Sequence, residues 1–309
     1  MNKHNYNSEN ISEDDFRVLG QPEKKHFNKK KAIIALLTVI AMLFCATLIT
    51  LLLQKPTDKP VSEQLDEFLD KQDPNIKHSY TQKFDIIIND TVDELNLTFY
   101  IPRNAIPAVT IGSPALDTNT TLTEEVVLAF RAANLDSVNN IEGCFVCKGV
   151  VYQPVTDLKH KGFCAIIDNV ITIGKANSSP LSEKAIEKKG YYFRQYSLVA
   201  DGNATANMKE DSIYYKYYKT KTLRRALCQR RDKFFVVECD NISMYKLAQV
   251  LVNLGVDNAI YLIGGHNPKT FDGWWRDKND DIELFRKKEE FIKYPLENYI
   301  VWRKAGVDK

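Results

Sequence analysis

The stretch Leu247-Ala248-Gln249-Val250-Leu251-Val252-Asn253-Leu254-Gly255-Val256-Asp257-Asn258-Ala259-Ile260-Tyr261-Leu262-Ile263-Gly264-Gly265 reads as a helix, a stop, a strand and a double-glycine turn. Met244, Leu247, Val250, Leu251 and Leu254 recur at helical spacing, Ser243 can cap the start, and Gly255 supplies the left-handed residue that ends the helix. A short strand is expected from Ala259 to Ile263, and Phe234 to Glu238 reads as another strand before the helix. The unit therefore predicts strand-helix-strand with its strands parallel, and Gly264 and Gly265 just past the second strand, where sites form in parallel sheets. An α+β fold follows, a mixed β-sheet with packed helices, preceded by one transmembrane helix.

Working outward, Phe84 to Ile88 and Leu95 to Ile101 read as hairpin strands around the polar turn Asn89 to Glu94, and Val61 to Lys71 as a helix leading into the domain. Thr121 to Ala133 has cap candidates at Thr121 and Thr123, acids Glu124 and Glu125 in the first turn, and apolar Val126, Val127, Leu128 and Phe130, which predicts a helix. Strands are expected over Phe145 to Tyr152, Phe163 to Ile173 with a turn at Asp168-Asn169, and Tyr192 to Val199. Ala176 to Gly190 is polar, a loop or short helix; Asp280 to Lys293 reads as an amphipathic helix and Asn298 to Trp302 as a final strand.

The 309 residues, 44% hydrophobic and 27% charged with a net charge of +2, allow one sizeable core. No basic stripe with interleaved aromatics points to nucleic acid. Ala32 to Leu53 is uncharged and long enough for a hydrocarbon core of roughly 30 Å. Lys24, Lys25, Lys29, Lys30 and Lys31 precede it, while Lys55 and Lys59 follow, so the positive-inside rule leaves the N-terminus cytoplasmic and the C-terminal domain periplasmic or extracellular. A cleaved signal peptide competes, but the run is long and has no small-residue cleavage site. The expected organisation is a disordered tail over 1–31, a membrane helix over 32–53, a linker and short helix over 54–75, and the outward domain over 76–309.

Of six cysteines, Cys45 falls in the apolar run and Cys144, Cys147, Cys164, Cys228 and Cys239 in the domain. They read as buried small apolar residues; one or two disulfides are the alternative. Cys144 and Cys147 have redox-type spacing, yet they sit in a strand pattern rather than at a helix N-terminus. No second Cys or His pair follows at zinc-ligand spacing, so no metal ligand is assigned. Cofactors stay undetermined.

Four blocks in order carry a resemblance to the phosphodiester glycosidase family: Glu142-Gly143-Cys144-Phe145-Val146 resembles its N-G-x-F-F, Ser197 to Gly202 its P-L-L-V-x-D-G, Arg225-Ala226-Leu227-Cys228 its R-T-A-I-G, and Asn258 to Gly265 its N-A-x-x-L-D-G-G. Four of its positions depart from the pattern. The aspartate of L-D-G-G is Ile263, the following Gly-Ser is His266-Asn267, and the asparagine of N-G-x-F-F is Glu142.

The resemblance implies hydrolysis of a sugar-1-phosphodiester, with a sugar phosphate or glycan as ligand. Arg225 is the candidate for phosphate, because a guanidinium forms bidentate bonds that lysine cannot copy; an arginine at a strand start is otherwise a surface ion-pair partner, and Arg224 beside it is expected to be solvated. Glu142 either replaces the missing carboxylate or faces solvent. His266 follows the double glycine and can act as an acid near neutral pH. Substrate contacts are assigned to Gly264, Gly265, Asn267 and Asp201, the last being otherwise an Asx-type turn. Tyr214 to Tyr218 reads as a sugar-stacking platform or a strand with tyrosines on both faces. Because Ile263 can neither take a proton nor hold a hydroxyl, a non-catalytic glycan-binding or envelope-scaffold domain is the alternative function, and a redox protein using Cys144 and Cys147 a third.

Overall fold

The computed structural model describes residues 37, 38, 40, 42, 61–70, 80–89, 94–112, 125–154, 161–176, 180–205, 219–264, 272–285 and 294–305. The chain divides into two compact units, Met1–Asp58 and Lys59–Lys309. In the first, Leu37, Thr38, Ile40 and Met42 are helical. The rest of the expected membrane segment lies outside the described residues, as do residues 1–31 and the linker to position 60. Among the described residues no helix is long and apolar enough to cross a membrane.

The second unit is built mainly of strands, which corrects the α+β expectation. It begins with α1 (Val61–Asp70), then runs β1 (Thr81–Asn89), β2 (Glu94–Pro102), β3 (Ala105–Ile111), β4 (Val126–Arg131), β5 (Phe145–Cys147), β6 (Val150–Gln153), β7 (Gly162–Ile167) and β8 (Val170–Lys175). After α2 (Leu181–Glu187) come β9 (Tyr191–Gln195), β10 (Ser197–Ala200), β11 (Asn203–Ala204), β12 (Thr222–Arg230) and β13 (Lys233–Ile242). The chain closes with α3 (Met244–Asn253), β14 (Asn258–Leu262), β15 (Gly273–Arg276), β16 (Ile282–Leu284) and β17 (Asn298–Lys304).

These strands form three sheets, ordered β1-β2-β13-β12-β14-β10-β11, β16-β15-β4-β17-β3 and β6-β5-β9-β7-β8. Every described ladder is antiparallel, so the sheet is not mixed. The strand-helix-strand unit is present: β13, α3 and β14 follow one another, Ser243 Oγ accepts from the Lys246 N–H, and Gly255 takes φ 72° at the helix end. What the sequence could not show is that β12 pairs with both β13 and β14 and lies between them. The two strands run in one direction but never touch as a parallel pair. The β12–β13 hairpin turns at Arg231 and Asp232, a short-range contact that forms at lower entropic cost than a parallel crossover.

Two helix expectations are overturned. Val126 to Arg131 is a strand buried on both faces, because its continuous apolar run packs between two clusters, and an unbroken run carries no period to separate strand from helix. Within Asp280 to Lys293, Ile282–Leu284 is a strand paired with β15; residues 286–293 lie outside the described residues.

The seven-stranded sheet is the centre of the unit. Along β2, Leu95, Leu97, Phe99 and Ile101 join one cluster with α1 and α3, while Tyr100 joins the opposite cluster with β4, β5, β7, β9 and β17. The same alternation along β12 sends Ala226 and Cys228 to the helix side and Leu227 to the side of the other two sheets.

Candidate functional site

Arg225 lies on β12 directly across from Glu238 on β13 and beside Leu262 on β14. Its guanidinium is buried, 1% exposed. Burying a lone cation would cost several kcal/mol, about that much per ion even after relaxation, so partners are required. Nε donates to Glu238 Oε2 at 2.5 Å, Nη1 to Asp272 Oδ1 at 2.7 Å, and Nη1 more weakly to the Ile263 carbonyl at 3.4 Å. The ring centres of Phe285 and Phe130 lie 4.8 and 5.4 Å from the guanidinium carbon, and the two rings stack with centres 4.7 Å apart. Burial works against the charge, and the two carboxylates more than offset it, so the Arg225 pKa is raised.

Asp272 is buried and Glu238 is 19% exposed, so Glu238 is the carboxylate at the mouth of the cluster. Tyr100 on β2 stands against Phe130 and Phe285, its hydroxyl held protonated by burial and then by the nearby Glu238 charge. At the rim the exposed Lys83 ammonium lies 5.5 Å from the Trp275 ring and 5.8 Å from the Tyr100 ring. The guanidinium bridges the two carboxylates, and Glu238, the more exposed of them, is the carboxylate placed to meet a developing positive charge.

Gly264 is part of this cluster: a Cβ built there would stand 3.5 Å from Arg225 Cγ and 3.1 Å from the Leu223 carbonyl. That close approach favours glycine. Gly265, His266 and Asn267 lie outside the described residues. Asp201 is not brought to this end of the sheet. It occupies the exposed β10–β11 turn at φ 50°, its N–H donating to Asn258 Oδ1 at the start of β14, and β14 then runs four residues, roughly 13 Å, before Leu262 meets Arg225. Asp201 is the turn residue of the plainer reading. Glu142 is half-buried just before β5, its N–H donating to the Asn134 carbonyl, near Gln195.

Arg224 is buried rather than solvated, because the strand alternation turns it to the helix side. There Nη1 meets the Tyr261 hydroxyl at 3.4 Å and Nη2 the Thr220 carbonyl at 3.0 Å. Tyr214 to Tyr218 lies outside the described residues. Cys144, Cys147, Cys164, Cys228 and Cys239 are free and buried, and burial raises each thiol's pKa, that of Cys239 to about 12. Burial disfavours the thiolate at Cys144 and Cys147, which speaks against the redox reading. Among the described residues no group of three His, Cys, Asp or Glu is placed to hold a metal.

Sequence reasoning missed Glu238, Asp272, Tyr100 and Trp275. Glu238 carried a signal, an acid directly after the apolar run Phe234 to Val237. Asp272 carried none, since only folding brings it 47 residues back to Arg225.

The phosphodiester glycosidase family model matches residues 124–291, just over half of the chain. The catalytic domain of zebrafish N-acetylglucosamine-1-phosphodiester alpha-N-acetylglucosaminidase, auto-inhibited by its pro-peptide, has a similar fold, with a TM-score of 0.53 at 11% identity over 72% of this chain and 82% of that one. A hypothetical protein from Synechocystis gives a TM-score of 0.53 at 11% identity over 72% of this chain and 62% of that one. No curated protein matches the sequence.

Proposed function

The chain belongs to the phosphodiester glycosidase family, and from that premise we propose that it hydrolyses the bond between a sugar and a phosphodiester. The observation that supports this most is the Arg225 cluster, which fixes Glu238 and Asp272 beside Gly264 within the matched segment. Glu238, at the mouth, faces the sugar carbon as positive charge develops there, and Asp272 with Arg225 holds it in place. Lys83 stands exposed at the rim, where its ammonium can meet phosphate oxygens. His266, two residues beyond Gly264 in the chain, and Glu142 are the candidates for moving the proton. Trp275, half-buried at the rim, offers the sugar an apolar face.

A turnover assay of the purified full-length chain on N-acetylglucosamine 1-phosphodiesters, beside Glu238→Gln, tests this. Loss of about 10²- to 10⁴-fold in the variant is expected; equal background rates in both would end the enzyme claim.

Ile263 supports a second reading, a glycan-binding domain without turnover. Its side chain is buried and only its carbonyl reaches Arg225, where the family pattern carries an aspartate. Saturable glycan binding with no hydrolysis product would select it. In either reading the domain works outside a membrane, tethered through the apolar stretch 32–53, which rests on the sequence alone. Protease digestion of intact cells, cutting the domain but not the first thirty residues, is the expected result.

A further inference from the structure

Arg303 on β17 is a guanidinium without a partner. Among the described residues it makes no ion pair and no hydrogen bond, and its Nε is buried with nothing to donate to. Buried donors are nearly always satisfied, so the unmade bond here is one that water or a ligand can complete. Arg303 lines a cavity of about 190 Å³ between β3, β17 and the β7–β8 turn, with Glu125, Asn169, Tyr191 and Lys304 around it. Lys304 is already committed: its ammonium pairs with Asp280 Oδ2 at 2.8 Å. Glu125 lines the same cavity and forms no ion pair with Arg303 or with any other described residue. Two opposite charges therefore face one small space without meeting.

This cavity is separate from the Arg225 cluster. Arg303 stands opposite Val126 at the start of β4, whereas Phe130, which packs on Arg225, lies at that strand's other end.

We propose that the cavity binds a small α-hydroxy or α-amino carboxylate. The guanidinium takes both carboxylate oxygens in a fork, and Glu125 accepts from the hydroxyl or amino group on the adjacent carbon. The Asn169 amide and the Tyr191 hydroxyl supply further polar contacts. A phosphate dianion fits less well, because Glu125 opposes the second negative charge and Lys304 is neutralised by Asp280. Arg303 and Lys304 lie outside the family-matched segment, whereas Glu125, Asn169 and Tyr191 lie within it.

Calorimetric titration of the full-length chain with glycolate, acetate and inorganic phosphate tests the assignment. Glycolate is expected to bind saturably and more tightly than acetate, with phosphate weakest. Arg303→Gln, which breaks no existing bond and should keep the unliganded melting temperature, is expected to weaken glycolate by at least about tenfold. Glu125→Gln should remove the preference for glycolate over acetate while leaving acetate binding in place. No saturable binding to the wild-type chain, equal glycolate affinity in Arg303→Gln, or phosphate binding more tightly than glycolate would each overturn it.

Discussion

Arg225 shows how a single side chain can be both a structural keystone and a poor target for testing catalysis. Its removal takes an ion-pair partner from both the buried Asp272 and Glu238. Arg225→Ala is therefore expected to lower stability by about 3–5 kcal/mol, read as a drop in the urea midpoint at constant slope. Glu238→Gln keeps shape and one hydrogen-bond acceptor, so its stability loss should be much smaller while turnover falls by orders of magnitude. A variant pair with equal losses in both measurements would make the cluster merely structural. The arginine was legible because a short motif carries it. Its partners were not, since one is set by hairpin register and the other arrives across 47 residues of chain.

At the scale of elements, α1 and α3 are tied to the sheet through one arginine. Arg230 at the end of β12 holds Asp66 of α1 through Nε at 2.6 Å and Nη2 at 2.7 Å, and donates from Nη1 to the Leu254 carbonyl at the C-terminal end of α3 at 2.5 Å. A cation there also complements the helix dipole. The Arg230 hydrogen bond lowers the Asp66 pKa below 3.8, with burial opposing it and the charges of Arg230 and Arg231 adding to it. A depressed carboxylate contributes stability that is fully present above its unfolded pKa and is lost as pH falls through the folded value. The stability difference between wild type and Asp66→Asn should accordingly be largest near neutral pH and shrink under acid. A difference that stays constant with pH would remove the ion pair from the account.

Gly255 belongs to the same junction. Its φ is 72°, and a Cβ would come 1.9 Å from Arg230 Nη1, pushing that nitrogen off Leu254. Gly255→Ala is expected to cost at least about 1–2 kcal/mol, and less when combined with Asp66→Asn than the two single losses added. The stop at Gly255 was readable from the sequence; the guanidinium that fills the space beside it was not.

For the whole molecule, the family-matched segment is not a folding unit. Residues 124–291 omit β2, which pairs with β13, and both β3 and β17, the latter lying between β4 and β3. A chain cut to that segment exposes both edges and is expected to lack a cooperative unfolding transition in circular dichroism, whereas the full chain shows one. The buried thiols offer an independent readout. Native protein should leave Cys144, Cys147, Cys164, Cys228 and Cys239 slow to react with a thiol reagent, and denaturant should release them together; fast labelling of the Cys144–Cys147 pair would bring the redox reading back.

The sequence by itself determined the pieces: the capped helix ended by Gly255, the hairpin strands Phe84 to Ile88 and Leu95 to Ile101, the turn at Asp168-Asn169, and the ordered motifs that carry Arg225 and Gly264. These rest on local physics, on periodicity, capping and turn chemistry within a few residues. Tertiary structure alone decided that the sheets are antiparallel with β12 between β13 and β14, that Val126 to Arg131 is a strand, and that Glu238 and Asp272 close on Arg225 while Asp201 sits in the turn at the far end of β14. Those outcomes depend on which distant apolar faces and charges exclude water together, and no window of neighbouring residues contains that information.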